Sequence, residues 1–234
     1  MTQKKFDDFD GFADNYREIH NESLKISGTD SDYFSEHKII EIKKIERRNN
    51  ISMLDLGCGD GNSAEFFHKH FENCKYFGLE VSKESIKIAS GKNIPSSEFL
   101  PYNGFDIPFE DNCFDIVFIA CVLHHVNFKF HAKILEEVKR VLKKGGNLFI
   151  FEHNPYNPIT KKIVKSCPFD KDAVLLFPSY TSEILSQLNY ENISINFTIF
   201  FPRNRLFEKL IFLENYFKKI PLGGQYYAVA SKNG

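Results

Sequence analysis

The sequence predicts an α/β fold: a mostly parallel sheet with helices on both of its faces. Short apolar strands alternate with amphipathic helices between residues 51 and 153, which is the order of parallel βαβ units. The strand predicted at 114–120 is strongly apolar, as expected for a strand that is covered on both faces. The chain has 234 residues, of which 42% are hydrophobic and 26% charged, so it can bury a core without disulfides or metals.

The first 50 residues predict helices. Residues 6–48 form one or two of them, divided near 27–30, and Phe34, Ile39 and Ile42 recur at helical spacing in the second. Asn49 and Asn50 then end the helical pattern. We expect this segment to be a helical cap over 1–50.

Five strands follow within about 100 residues. They are predicted at 51–56, 75–79, 98–102, 114–120 and 147–152. The helices between them are predicted at 62–70, 82–90 and 129–142, with Ser82 as a helix cap and the lysines and glycines of 143–146 ending the last. Ligands bind at the carboxyl ends of such strands, so the residues that follow each strand are the first candidates for a site.

The regular alternation ends after Glu152. The segment 153–180 contains four prolines and one short helix, predicted at 159–166, and its length is typical of a lid or substrate-binding insertion. A helix at 181–188, a strand at 193–200, a helix at 205–219 and a strand at 225–230 complete the chain. We therefore expect a single domain, with the α/β part over 51–234.

Composition and charge exclude several functions. The chain carries 30 basic and 31 acidic residues, which gives no electrostatic reason to bind nucleic acid or an anionic membrane. The apolar run at 116–123 is too short to span a membrane, and residues 1–12 lack the apolar core of a signal peptide. Five cysteines without a CxxC pair fit neither a disulfide framework nor a zinc site. We expect a cytoplasmic protein with reduced thiols; nothing in the sequence specifies its oligomeric state.

The strongest chemical signal is the segment LDLGCGDG at 54–61, which leaves the first strand. Its three glycines allow a tight turn and a close approach of a ligand to the backbone. Asn62 occupies the place of the last glycine of a dinucleotide fingerprint, which disfavours a nicotinamide-dependent oxidoreductase. Glu80 ends the second strand about 20 residues later, where a carboxylate can accept from ribose hydroxyls.

Four later segments complete a pattern. They are DIPF at 106–109, NCFDIVF at 112–118, LHHV at 123–126 and VLKKGG at 141–146. In this order, with the glycine turn and Glu80, the chain resembles the class I S-adenosylmethionine-dependent methyltransferases over about 51–153. The resemblance implies a Rossmann-like, seven-stranded sheet, S-adenosylmethionine as cofactor, and transfer of a methyl group to a small-molecule acceptor.

The resemblance also implies which residues bind the cofactor. They are Tyr16, Asp55, Gly57, Cys58, Gly59, Glu80, Val81, Asn103, Gly104, Ala120 and Cys121. The residues of the turn would face the methionine and ribose parts, Glu80 would hold the ribose hydroxyls, and Val81 would pack on adenine. Asn103 stands where family members often have an aspartate that accepts from adenine, and Asp106 competes for this role. Ala120 and Cys121 would lie near the sulfonium, and Tyr16 would close the pocket.

A hydroxyl acceptor needs a base, and four side chains at strand ends are candidates. They are His124, His125, Glu152 and His153. We prefer Glu152 and His153 as the pair that faces the acceptor; the alternative is that these histidines only orient the loop or line the pocket. No Asp/His/Glu cluster has clear metal-ligand spacing, so we expect no metal.

Two further features bear on the acceptor. The segments EHNPYNP at 152–158 and CPFD at 167–170 are similar to a bacterial subgroup that we associate with polysaccharide and secondary-metabolite genes, so a sugar is one expected acceptor. The chain has 25 Phe and 10 Tyr, and nine of these crowd its C-terminal end, which predicts that this part covers the acceptor: Phe197, Phe200, Phe201, Phe207, Phe212, Tyr216, Phe217, Tyr226 and Tyr227. The alternative function is a non-catalytic S-adenosylmethionine-binding regulatory module.

Overall fold

The fold is a seven-stranded sheet between two layers of helices, seen in a computed structural model that describes residues 31–201 and 212–234. The strands are β1 Asn50–Leu56, β2 Asn73–Glu80, β3 Ser97–Pro101, β4 Phe114–Ala120, β5 Leu142–His153, β6 Glu191–Thr198 and β7 Gln225–Ser231. The helices are α1 Ser31–Ile45, α2 Asn62–His70, α3 Lys83–Gly91, α4 His131–Val141, α5 Pro158–Ser166, α6 Pro178–Gln187 and α7 Glu214–Phe217. The predicted α/β class is confirmed.

The strand order explains where a ligand can enter. It is β3-β2-β1-β4-β5-β7-β6, and β7 alone runs antiparallel to its neighbours. The chain therefore moves from β1 to one edge of the sheet and returns to place β4 on the other side of β1. This reversal leaves a crevice at the carboxyl ends of β1 and β4.

The strands alternate their side chains between two apolar cores. Val117 of β4 packs in the core that also contains Leu135 of α4. The next residue, Phe118, points to the opposite core, with Phe67 of α2 and Ile42 of α1. Both faces of the central strands are thus covered, which is why β4 is apolar at every position except Asp115.

The largest boundary difference lies between α4 and β5. The predicted helix end at 143–146 is instead the beginning of β5, which starts at Leu142. The carbonyl of Val141 already accepts from the amide of Cys113 at 2.8 Å, and the carbonyl of Gly146 accepts from Lys232 at 3.0 Å. Sheet pairing with distant strands therefore replaces the local preference of lysine and glycine for a helix end.

Other predicted elements differ in extent. Of the helix predicted at 205–219, the described residues form only α7, and 202–211 lie outside the described part. Only α1 of the predicted N-terminal cap falls within the described residues, since they begin at 31. The insertion at 153–180 contains α5 and a 3₁₀ turn at Pro168–Asp170. Among the described residues, no helix is both long and apolar enough to cross a membrane.

Candidate functional site

A cavity of about 570 Å³ lies at the carboxyl ends of β1 and β4, where the strand order reverses. The β1–α2 turn and the end of β4 form one side of it, and α1, α5 and the start of β7 form the others. The volume is within the usual range for small-molecule sites, roughly 300–1,000 Å³. The sheet topology therefore places a ligand-sized space where the sequence predicts one.

The glycine turn presents bare backbone to this cavity. Gly57 has a φ of +86°, and a Cβ there would stand 2.4 Å from Cγ2 of Val122, so the position requires glycine. The amides of Gly57 and Cys58 both donate to the carbonyl of Leu79, which ties the turn to β2. Gly59 faces open space, since a Cβ there would meet no heavy atom within 4 Å. A ligand can therefore approach the backbone at Gly59.

Asp55 brings a buried carboxyl group to the same wall. It is only 2% exposed, lines the cavity, and accepts a hydrogen bond from the hydroxyl of Tyr76 at 2.5 Å. Burial raises the pKa of Asp55 to about 7, and the charge of Glu80 acts in the same direction. Tyr76 and Lys38 oppose this rise. Asp55 thus titrates near neutral pH, where a cationic ligand favours its ionised form.

Glu80 is fixed beside the turn by backbone amides. Its carboxylate accepts from Gly59 at 3.2 Å, from Val81 at 2.7 Å and from Ser82 at 3.1 Å. The first bond joins the end of β2 to the glycine turn, and Ser82 also caps α3 as predicted. Glu80 and Val81 are outside the cavity wall itself. The carboxylate is therefore anchored next to the cavity rather than within it.

The loop after β3 is held by its own side chains. The side-chain oxygen Oδ1 of Asn103 accepts from the backbone amides of Phe105 and Asp106 at 2.9 and 2.8 Å, and its Nδ2 donates to the Asp106 carboxylate. Asp106 also pairs with Lys133 at 2.9 Å, and Gly104 is buried. Asn103 and Gly104 are outside the cavity wall. Both oxygen-bearing candidates for contacting adenine are thus already used to shape this loop.

Two histidines and two carboxylates form one connected group, which we name the histidine–carboxylate cluster: His124, His125, Glu152 and Asp170. His124 Nδ1 is 2.5 Å from a Glu152 oxygen. His124 Nε2 is 3.0 Å from His125 Nε2 and 3.5 Å from Asp170 Oδ1. His125 Nε2 is 3.3 Å from the same Asp170 oxygen. All but Glu152 line the cavity.

The structure separates the predicted pair of Glu152 and His153. Glu152 is fully buried behind His124 and also accepts from the amide of Leu123 at 3.0 Å, whereas His153 lines the cavity. Successive residues of a strand point to opposite sides, so these neighbours on β5 cannot face the same space. Glu152 is placed to orient His124, and His153 is placed to meet a ligand.

The surroundings give His124 and its neighbour His153 different protonation states. Burial alone would lower the pKa of His124, but the Glu152 and Asp170 carboxylates outweigh it and raise that pKa to about 10. Burial lowers the pKa of His153 to about 4, and the charge of His124 adds to this effect. At neutral pH, His124 is therefore charged and His153 is neutral.

The end of β4 supplies the residues that lie between the glycine turn and the histidines. Ala120 and Cys121 both line the cavity. Cys121 has a backbone φ of +58°, which residues other than glycine seldom adopt. Its backbone amide donates to the carbonyl of Phe151 at 2.8 Å. The sheet thus holds a strained residue between the glycine turn and the histidines.

Comparison with known proteins identifies the family. Residues 54–150 match the family described as a methyltransferase domain. An uncharacterized protein of Methanocaldococcus jannaschii is 33% identical over 175 residues, which are 72% of this chain and 80% of that protein. The chain belongs to the class I S-adenosylmethionine-dependent methyltransferases. S-adenosylmethionine is accordingly the cofactor.

Further relatives of this methyltransferase carry more specific names. A demethylmenaquinone methyltransferase of Thermotoga maritima is 30% identical over 149 residues, 64% of this chain and 61% of that enzyme. The chain spans less than two thirds of that relative. A solved S-adenosylmethionine-dependent methyltransferase from Thermotoga maritima superposes with a TM-score of 0.70 at 18% identity, covering 96% of this chain and 98% of that one. This likeness confirms the predicted Rossmann-like fold.

The methyltransferase cavity also contains residues that sequence reasoning did not select. Lys38 of α1, Asp170 and Gln225 of β7 all line it. The Gln225 Oε1 atom is buried without a hydrogen-bond partner in the described part of the chain. The CPFD segment contains Asp170, so that motif was a usable signal, whereas Lys38 stands in no motif. The predicted pocket residue Tyr16 lies outside the described residues.

Proposed function

We propose that this protein transfers the methyl group of S-adenosylmethionine to a hydroxyl group of a small-molecule acceptor. One observation carries the proposal: a single cavity has the glycine turn on one wall and His125 and His153 on another. Cofactor and acceptor would therefore meet inside one space. A regulatory module that only binds the cofactor would not need the second wall.

Several residues of the turn suit the cofactor. The open space at Gly59 lets the cofactor contact the backbone there. The Asp55 carboxylate would attract the cationic methionine group of the cofactor. Lys38 of α1 lines the same cavity and would pair with the methionine carboxylate. Glu80, anchored beside the turn, would hold the ribose hydroxyls, with Val81 against adenine. In our proposal Asn103 shapes the adenine loop and does not accept from adenine itself.

Methyl transfer needs little from the protein except that it aligns the acceptor with the cofactor and excludes water from the site. When bound, the cofactor supplies an activated methyl group on a sulfonium. Ala120 and Cys121 separate the turn from the histidines and would fix the distance between the two ligands. Phe118 and Phe34, both buried, contribute apolar surface to the wall and limit water in the site.

We assign the proton-accepting role to His153. It lines the cavity, and its imidazole is neutral at physiological pH because burial and the nearby His124 lower its pKa. Glu152 is assigned a positioning role, since within the described residues its carboxylate bonds only His124 and the backbone amide of Leu123. His124 in turn keeps its ring in the wall beside His153, with the ring centroids 5.3 Å apart.

The acceptor wall has both apolar and polar parts. Ile159, Ile163 and Phe200 are exposed to the cavity, and Asn157 and Gln225 lie among them. This mixture suits a molecule with a hydroxyl group next to an apolar ring or chain. A glycosylated secondary metabolite and a hydroquinone both have this character; the relatives include the quinone-modifying enzyme named above.

The test has two stages. Calorimetry should show that the protein binds S-adenosylmethionine and its demethylated product. Transfer of labelled methyl groups is then measured against a panel of nucleotide sugars, hydroxylated aromatics and hydroquinones. The His153→Asn variant should lose turnover and keep cofactor affinity. His68→Asn should change neither, because His68 lies outside the cavity wall and bonds Ser97 of β3 at 2.9 Å. Tight cofactor binding with no transfer to any of these acceptors would favour the regulatory alternative.

A further inference from the structure

We propose that His124, His125 and Asp170 bind one divalent transition-metal ion in the wall of the cavity. The sequence gives no such indication, because Asp170 is far along the chain from the two histidines. The fold brings them together: the 3₁₀ turn Leu123–His125 follows β4, and the 3₁₀ turn Pro168–Asp170 follows α5.

The three donor atoms have the spacing of a metal site. His124 Nε2, His125 Nε2 and Asp170 Oδ1 are 3.0, 3.3 and 3.5 Å apart. Ligand atoms around tetrahedral zinc stand about 3.3 Å from one another, because its bonds to nitrogen and oxygen are about 2.0–2.2 Å long. A triangle of this size can therefore hold one ion at bonding distance from all three atoms.

Glu152 provides the outer support that such a site requires. It accepts from His124 Nδ1 at 2.5 Å, which turns Nε2 of the same ring toward the other two donors. Ligating histidines almost always donate their second nitrogen to a carboxylate or carbonyl in this way. Glu152 is itself fixed by the amide of Leu123 at 3.0 Å, so the orientation is fixed before an ion binds.

The charge and access of the cluster also suit a cation. Two carboxylates stand against two imidazoles, and a dication balances them. The competing occupant is a proton on His124. All three donor residues line the cavity, so an ion held there keeps a coordination position toward the space assigned to the acceptor. Nitrogen-rich donor sets favour zinc, iron, cobalt or nickel over magnesium.

The role of the ion rests on the proposed function. A divalent ion held by these residues would make an acceptor oxygen at its open position more acidic, because it would stabilise the oxyanion. The same contact would fix the acceptor between the glycine turn and His153. The acceptor class is then one that offers an oxygen ligand, such as a phenol, an enol or a sugar hydroxyl.

The experiment measures metal binding directly. The full chain is stripped with a chelator, and Zn²⁺ and Co²⁺ are titrated while stoichiometry is read by mass spectrometry and the visible bands of bound Co²⁺. We expect one equivalent for the wild type and at least a tenfold weaker binding for His125→Gln and Asp170→Asn. His70→Gln is the matched control, since His70 also pairs with a carboxylate, Glu36 at 3.0 Å, but outside the cavity.

Cofactor binding is followed on the same samples and keeps the two proposals separate. Unchanged S-adenosylmethionine affinity in Asp170→Asn shows that the variant is folded. No stoichiometric metal in the wild type, equal metal affinity in Asp170→Asn, or Mg²⁺ binding as tight as Zn²⁺ would each overturn the metal site. None of these results depends on turnover, whereas failure of the proposed function would appear as absent cofactor binding or absent transfer.

Discussion

The glycine turn and the histidine–carboxylate cluster lie on the same cavity, but the chain builds them in different ways. The turn consists of consecutive residues at 57–61 that act through backbone conformation, with Gly57 at a φ of +86°. The cluster joins side chains from β5 and two separate loops, and only tertiary packing brings them within 3.5 Å. The turn excludes a side chain at Gly57, where a Cβ would collide with Val122. The cluster, in contrast, is adjustable through its outer partner Glu152.

Replacing Gly57 by valine should have the largest effect. The new Cβ would stand 2.4 Å from Val122 and would require a left-handed conformation, so the turn must distort. We expect S-adenosylmethionine affinity to fall by about 100-fold or more, equivalent to about 3 kcal/mol. Calorimetry measures this loss. Gly91→Val is the control, because a Cβ at Gly91 meets nothing within 4 Å; an equal loss there would show a general stability effect.

Glu152→Gln tests whether the cluster can be adjusted from its buried side. The amide keeps the shape but cannot accept at both former contacts, so His124 loses its fixed orientation. Outer partners of this kind typically contribute about 10–100-fold to activity, and we expect a fall of that size in turnover. Cofactor affinity should stay unchanged. Glu136→Gln, an exposed acid on α4, is the matched control. A fall in cofactor affinity without a fall in turnover would contradict the positioning role.

Glu80→Gln should disturb the glycine turn, and with it cofactor affinity, without disturbing the histidine–carboxylate cluster. The new amide places an NH₂ group against one of the backbone N–H groups that Glu80 now accepts from, including Gly59 at 3.2 Å. Losing a charged hydrogen bond costs about 1.5–3 kcal/mol, so we expect S-adenosylmethionine affinity to weaken by at least about tenfold. Calorimetry measures S-adenosylmethionine binding in this variant and in the control Glu84→Gln, which changes an exposed glutamate of α3. Wild-type affinity in Glu80→Gln would remove Glu80 from the cofactor site.

A pH titration should produce the smallest effect. Asp55 has its pKa raised to about 7, mainly by burial and also by Glu80, against the opposing influence of Tyr76 and Lys38. It is therefore protonated below that pH and ionised above it, and only the ionised form attracts the cationic methionine group. Affinity should fall several-fold as pH drops from about 7.5 to about 5.5. In Asp55→Asn this slope should vanish; a slope that persists would assign it to another group.

Sequence reasoning predicted the local features of this methyltransferase well. Alternation of strands and helices, the Ser82 cap and the glycine turn each depend on residues close along the chain, and all appear as predicted. Phe200 and Phe201 line the cavity, as the aromatic C-terminal quarter predicts, but Tyr226 and Tyr227 are in the core instead. Composition could not distinguish these cases because the face of a strand depends on its register.

The sequence by itself determined the fold class and the glycine wall, because periodicity and backbone conformation are properties of neighbouring residues. Only the tertiary structure decided the other wall. It turned Glu152 inward and His153 toward the cavity, and it brought Asp170 to within 3.3 Å of His125. Such contacts arise from the packing of distant segments, where the spacing of residues along the chain carries no information about their distance in space.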